Sequence, residues 1–196
     1  MANPRNTAST RSFACDLATL CAPTLAGLKP ASLFRYQPGS GQSAEAMARA
    51  WHNLLAERGV SVRVLKACPR TGAVLVYVYR PARVAAILES SEVLQFLQGE
   101  GYRPGTAEEL LQQLSARLCC EGEFPHEIGV FLGYPLADVV GFIQNRGQNF
   151  TACGYWKVYT DPTDARRQFD RYKKCERIYA RCYSNGTPIR RLTVAA

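Results

Sequence analysis

Of the two histidines in the chain, His126 sits between Pro125 and the carboxylate Glu127. Proline suits the first turn of a helix, so this stretch is predicted to open a helix that ends near Gly133. A helix N-terminus disfavours imidazolium and favours a carboxylate, leaving a neutral imidazole free to act as acid, base or ligand. The plainer alternative has Glu127 complementing the helix dipole while His126 packs or meets solvent. Lys157 shares a predicted strand face with Cys153 and Tyr155. A thiol beside an ammonium gains thiolate and reactivity, yet four residues along one strand separate two backbones by about 13 Å. Cys21 lies near the end of the first predicted helix and Lys29 just before the first strand. If the sheet draws these stretches together, His126, Tyr134, Lys157, Lys29 and Cys21 converge on a small anionic ligand or cofactor. The imidazole would then be the hydrogen-bonding or acid–base group and the lysines would neutralise charge. These residues fix no reaction and no cofactor identity; proton transfer or thiol chemistry suits them best.

Other chemistries compete. Gly39-Ser40-Gly41-Gln42-Ser43-Ala44 matches G-x-G-x-x-A, a pattern whose amides can cradle a pyrophosphate. Lys66 and Arg70 stand where a ribose-binding acid is needed, so a flexible loop is the better account. The eight cysteines include no C-x-x-C, and with two histidines the common zinc templates are absent, so no metal site is predicted. Residues 1–11 are polar, expected to be disordered, and lack the apolar stretch of a secretory signal. The expected location is therefore the cytoplasm, where thiols stay reduced and mostly pack as small hydrophobes. Thiol-based redox or metal sensing stands as one alternative function, although Cys119-Cys120, followed by Glu121 and Glu123, make poor nucleophiles.

Charge supplies another alternative. The 24 Lys and Arg against 16 Asp and Glu leave a net +8, which favours acidic partners. From Asp161 onward nine basic residues face four acids, so the C-terminal segment carries most of that excess. Arg167, Arg171, Lys174, Arg177 and Arg181 fall near one side of a predicted 162–183 helix that could bind nucleic acid or an acidic protein. Its aromatics, Phe169, Tyr172 and Tyr179, fall on the other stripe, which favours a solvated face over a stacking platform. No apolar run approaches the roughly 20 residues of a membrane span, so no membrane partner is expected.

The elements that must position these groups follow from periodicity. A helix is predicted over 12–26, with Pro23 threatening its last turn, then a strand over Ala31–Tyr36. Ser43 caps a helix to about Arg58 with Met47, Trp51 and Leu54 inward, and Gly59 ends it. Strands over 60–66 and 73–80 make a hairpin through Pro69-Arg70-Thr71-Gly72, and the second strand is apolar on both faces and hence central. Short helices follow, one opened by the capping-box spacing of Thr106 and Glu109 and lined inward by Leu110 or Leu111, Leu114 and Leu118. Another helix is predicted over 136–145, a strand over Thr151–Thr160, a long helix over 162–183 and an edge strand over Ile189–Val194. Mixed elements without βαβ alternation indicate an α+β fold, a small mixed or antiparallel sheet centred on the 60–80 hairpin and covered by helices. A single domain over 12–194 is expected.

Several long motifs carry a resemblance. Cys21-Ala22-Pro23-Thr24-Leu25-Ala26-Gly27-Leu28-Lys29, His126-Glu127-Ile128-Gly129-Val130-Phe131-Leu132-Gly133-Tyr134-Pro135, Asp138-Val139-Val140-Gly141-Phe142 and Gly154-Tyr155-Trp156-Lys157-Val158-Tyr159 stand among them. With the closing Arg191-Leu192-Thr193-Val194, the chain resembles a bacterial family known as a domain of unknown function, found largely in anaerobes. The resemblance spans nearly the whole chain and implies one full-length domain. It brings no activity, cofactor or site residue with it.

Overall fold

The computed structural model describes residues 12–119 and 124–195. Ser12 accepts a hydrogen bond from the Cys15 amide and caps α1 (Phe13–Leu20), which breaks at Cys21. Pro23 is then accommodated in the first turn of a separate short helix, α2 (Ala22–Leu25), so the single helix expected over 12–26 is two. After β1 (Ala31–Tyr36), Ser43 caps α3 (Ala44–Leu55), which tightens into a 3-10 turn that Gly59 closes in the left-handed region. Leu55 is the buried member of its last turn and Leu54 points to solvent, reversing the expectation for Leu54. The G-x-G-x-x-A loop ends in this cap, and Ser43, Gln42 and Glu45 already engage its polar groups.

β2 (Ser61–Ala67) and β3 (Val74–Tyr79) form the hairpin, and β1 pairs with the other edge of β3, giving an antiparallel sheet of order β1-β3-β2. Tyr79 stands opposite Ala31 on one side and Ser61 on the other, while Val76 stands between Phe34 and Val64. β1 and β2 thus run parallel to each other, joined through α3, with β3 inserted between them. A bulge between Val64 and Lys66 shifts the β2 register.

Because successive strand side chains point to opposite faces, the apolar run of β3 serves two cores. Val74, Val76 and Val78 face α1, α3 and the C-terminal end of the chain, with Phe13, Leu17, Leu55 and Ile189. Tyr77 and Tyr79 face α4 (Pro81–Leu88), α5 (Ser91–Gly99) and α6 (Ala107–Arg117). The capping box of Thr106 and Glu109 forms in full at α6, and Leu110, Leu111, Leu114 and Leu118 are all buried.

The next segment departs from its pattern. α7 (Ile128–Phe131) and α8 (Leu136–Gln144) are joined by a tight turn in which Gly133 takes φ +75°. A Cβ on Gly133 would lie 2.5 Å from Pro30, so α7 ends hard against the start of β1. Thr151–Thr160 is a miniature hairpin rather than one strand: β4 (Ala152–Cys153) and β5 (Lys157–Val158) pair around Gly154, Tyr155 and Trp156. Asp161 caps α9 (Pro162–Ser184), against which the hairpin packs through Trp156, Val158, Ala165, Phe169 and Tyr172. Tyr179, not the exposed Ile178, continues the inward stripe. The edge strand expected over Ile189–Val194 is a short helix, α10 (Ile189–Leu192), started by Pro188.

Two buried polar links lock these layers. Arg80 donates to the carbonyls of Thr24, Leu25 and Val194, each at 2.8 Å, and so joins the end of β3 to α2 and the C-terminal segment. Tyr77, fully buried on β3, donates its hydroxyl to the Phe131 carbonyl at 2.5 Å and ties α7 to the central strand. No helix among the described residues is long and apolar enough to cross a membrane. The disorder expected for residues 1–11 falls outside the described residues.

Tyr77→Phe keeps the ring and orphans the Phe131 carbonyl. It is expected to cost about 1–3 kcal/mol, read as a lower denaturant midpoint at unchanged slope.

Candidate functional site

A cleft of about 180 Å³ opens between α7, α8 and β5. Its walls come from Ile128 and Gly129 of α7, Tyr134 of the following turn, Asp138, Val139 and Phe142 of α8, and Trp156 and Lys157 of the hairpin, with His126 at the edge. Gly129 lets the two helices close: a Cβ there would lie 2.8 Å from Val139 and 3.1 Å from Tyr134.

Asp138 holds the hairpin on α8. It lies in the first turn of the helix but accepts from outside it, and is 2% exposed. Its Oδ2 accepts from Trp156 Nε1 at 2.7 Å, and its Oδ1 from the amides of Tyr159 (2.8 Å) and Thr160 (3.2 Å) and the Thr160 hydroxyl (3.2 Å). Trp156 is thereby fixed as a wall, stacked on Tyr134 at 5.2 Å and edge-on to Phe169 at 4.5 Å. None of Asp138, Trp156 and Phe142 is among the candidate residues read from the sequence, where they stand only within its longer motifs. The signal available was an indole followed directly by a lysine in Gly154-Tyr155-Trp156-Lys157.

At the rim, Lys157 donates from Nζ to the Gly147 carbonyl at 2.6 Å, with that nitrogen 4.9 Å from the Phe150 ring centre and 5.5 Å from that of Phe142. His126 meets the edge of Phe142 at 4.8 Å and is exposed. It occupies a turn that precedes α7, and α7 is only four residues long, so the helix-dipole argument made from the sequence does not apply to it. Glu127 turns away from the cleft and is buried, accepting from the Tyr102 hydroxyl at 3.1 Å and pairing with Arg117 at 3.5 Å.

Three of the five residues expected to converge therefore do so: His126, Tyr134 and Lys157. Lys29 and Cys21 do not line the cleft. Lys29 lies against the Tyr134 ring, Nζ 5.1 Å from its centre, and burial pulls its pKa from 10.5 down to about 8, with Cys21 and Glu176 partly offsetting the fall. Cys21 is wholly buried, and that burial pushes its thiol far above the ordinary range. Burial also raises Tyr134, to about 12.

The other candidates are dispersed. Cys153 and Lys157 are direct cross-strand partners, not neighbours 13 Å apart along one strand, because the segment folds back on itself. Burial raises Cys175 to about 11, while Cys119 and Cys153 are exposed. Among the described residues no group of three or more His, Cys, Asp or Glu is placed to hold a metal ion. Arg167, Arg171, Lys174, Arg177 and Arg181 all project to solvent from α9, Arg167 beside Asp164, while Phe169 and Tyr172 are buried beneath.

Over residues 17–193 the chain matches the model of a family described as a protein of unknown function, DUF3793. The chain belongs to this family. Cys21–Lys29, His126–Pro135 and Gly154–Tyr159 all lie inside the matched span, so in this DUF3793 protein the three cleft residues and Lys29 fall within the family's own extent. No curated protein and no solved structure matches the chain.

Two outcomes follow from this geometry. Asp138→Asn offers one acceptor oxygen where two now serve four donors. It is expected to cost about 3 kcal/mol and to shift the Trp156 indole N–H resonance. The second concerns Lys29, whose folded pKa lies below its unfolded value. The burial penalty is complete below about pH 8 and shrinks as the folded amine loses its proton above it, so stability attributable to this group rises with pH. Relative to Lys29→Met, the wild type is expected to gain about 1 kcal/mol between roughly pH 7 and 9, measured by denaturant unfolding.

Proposed function

We propose that this DUF3793 protein binds a small anionic ligand in the cleft between α7, α8 and β5. What carries the reading is the placement of two donor-bearing side chains, His126 and Lys157, at the mouth of a cleft otherwise walled by Ile128, Val139, Phe142, Tyr134 and Trp156. Ligand sites are typically concave and mostly apolar, with a few placed polar groups that set orientation. An ammonium has three N–H groups; Lys157 commits one to the Gly147 carbonyl and keeps two for an acid group. That carbonyl and the rings of Phe142 and Phe150 restrain the lysine in advance, which lowers the ordering cost of binding. His126 supplies a further hydrogen-bonding group on the same rim. Lys29 supports from behind, its amine against the Tyr134 ring, and Cys21 is packing.

The test is a titration with a panel of small monocarboxylates, aliphatic and aromatic, each paired with its neutral amide. Trp156 reports through its indole N–H, distinguished from that of Trp51 with a Trp51→Phe variant. Acids are expected to move the Trp156 signal saturably and their amides not to, and Lys157→Gln to weaken acid binding about tenfold. Equal responses to acid and amide would overturn the reading.

A further inference from the structure

We infer that the cleft takes a single flat ring bearing one acid group, seated ring inward with the acid at the mouth. This rests on the cleft being the anionic-ligand site proposed above. Three observations carry it. The first is size: about 180 Å³ is close to the ~150 Å³ apolar cavity that holds one benzene, so one ring fills the space.

The second is the wall chemistry. His126, Tyr134, Phe142 and Trp156 contribute four rings to the lining. Aromatic rings prefer offset-stacked or edge-to-face partners, arrangements a planar ligand can satisfy and a puckered one cannot. Tyr134 stacked on Trp156 is fixed in place by the Asp138–Trp156 hydrogen bond, so these rings do not have to be ordered when a ligand arrives.

The third is the order of charge along the cleft. Asp138 is the most buried charged residue lining it, a carboxylate 2% exposed that accepts from Trp156, Tyr159 and Thr160. An acid group placed deep would meet that negative charge. At the exposed end, Lys157 and His126 offer hydrogen-bond donors in reach of solvent. Ring inward and acid outward is the one orientation that avoids burying like charges together.

The experiment compares benzoate, cyclohexanecarboxylate, acetate and benzyl alcohol by the shift of the Trp156 indole resonance. Benzoate is expected to bind roughly three- to tenfold more tightly than cyclohexanecarboxylate, acetate most weakly among the acids. In Phe142→Leu, which keeps the bulk and removes a ring, the preference for benzoate over cyclohexanecarboxylate should fall toward one; retained indole dispersion shows that the variant is folded. With 4-methylbenzoate, contacts from the methyl group to Val139 support the inward ring, and contacts to Lys157 overturn it. Equal affinity for the two ring acids, or for acetate and benzoate, overturns the flat-ring inference and leaves the anionic site standing. Benzyl alcohol matching benzoate overturns the acid at the mouth and with it the proposed function. No response to any of the four overturns both.

Discussion

The cleft exists because a carboxylate is buried where it has no business being charged unless it is answered. Removing Asp138 from water would be costly by itself, and four donors, three from the chain that follows the hairpin turn and one from the indole, offset that cost. The hairpin they hold has strands of two residues each, too short to persist alone in water. Its position therefore comes from side-chain anchoring to α8 and from the aromatic cluster against α9, not from its own ladder. Trp156 and Lys157 are delivered to the cleft by the same bonds.

A second anchoring runs from the opposite side. Tyr77 reaches from the central strand to the carbonyl that ends α7, and Gly133 lets the chain turn against Pro30. One wall of the cleft is thus referenced to the sheet and the other to α8 and α9. Functional geometry is most exact when carried on such packed elements, and the loop-like character of residues 145–151 is confined to the rim where Phe150 and Gly147 meet Lys157.

Much of the fold could be read before any coordinates. The two-faced apolar run of β3 demanded a central strand, Thr106 and Glu109 announced their helix, and Asp161-Pro162 opened α9. The misreadings share a cause: periodicity over a few residues is ambiguous, and chain reversal decides it. Thr151–Thr160 alternates like one strand, but Gly154 sits where a Cβ would strike the Phe169 ring at 2.3 Å, and the chain doubles back there. Ile189–Val194 has strand-like composition, yet Pro188 starts a helical turn and the closing residues are claimed by Arg80 and Leu25. For the site, the rim was legible because His126, Tyr134 and Lys157 carry recognisable functional groups. The interior was not, since Asp138 next to a helix start looks like a cap, and Phe142 and Trp156 look like core. Cys21 and Lys29 suggest themselves for the site by their chemistry alone, and spacing cannot show that both are buried away from it.

The insertion of β3 between β1 and β2 has a consequence for how the protein is made. β1 leaves the ribosome well before the one strand it pairs with among the described residues, and α3 and β2 emerge in between. The β2–β3 hairpin can close locally, whereas β1 must be recruited across a long loop of chain, the slower kind of event. Until then both β1 and its apolar side chains stand exposed on a nascent segment, where a free strand edge invites pairing with other chains. Synthesis interrupted after α3 therefore leaves a polypeptide that holds a strand and no sheet, a substrate for chaperones rather than a folding unit.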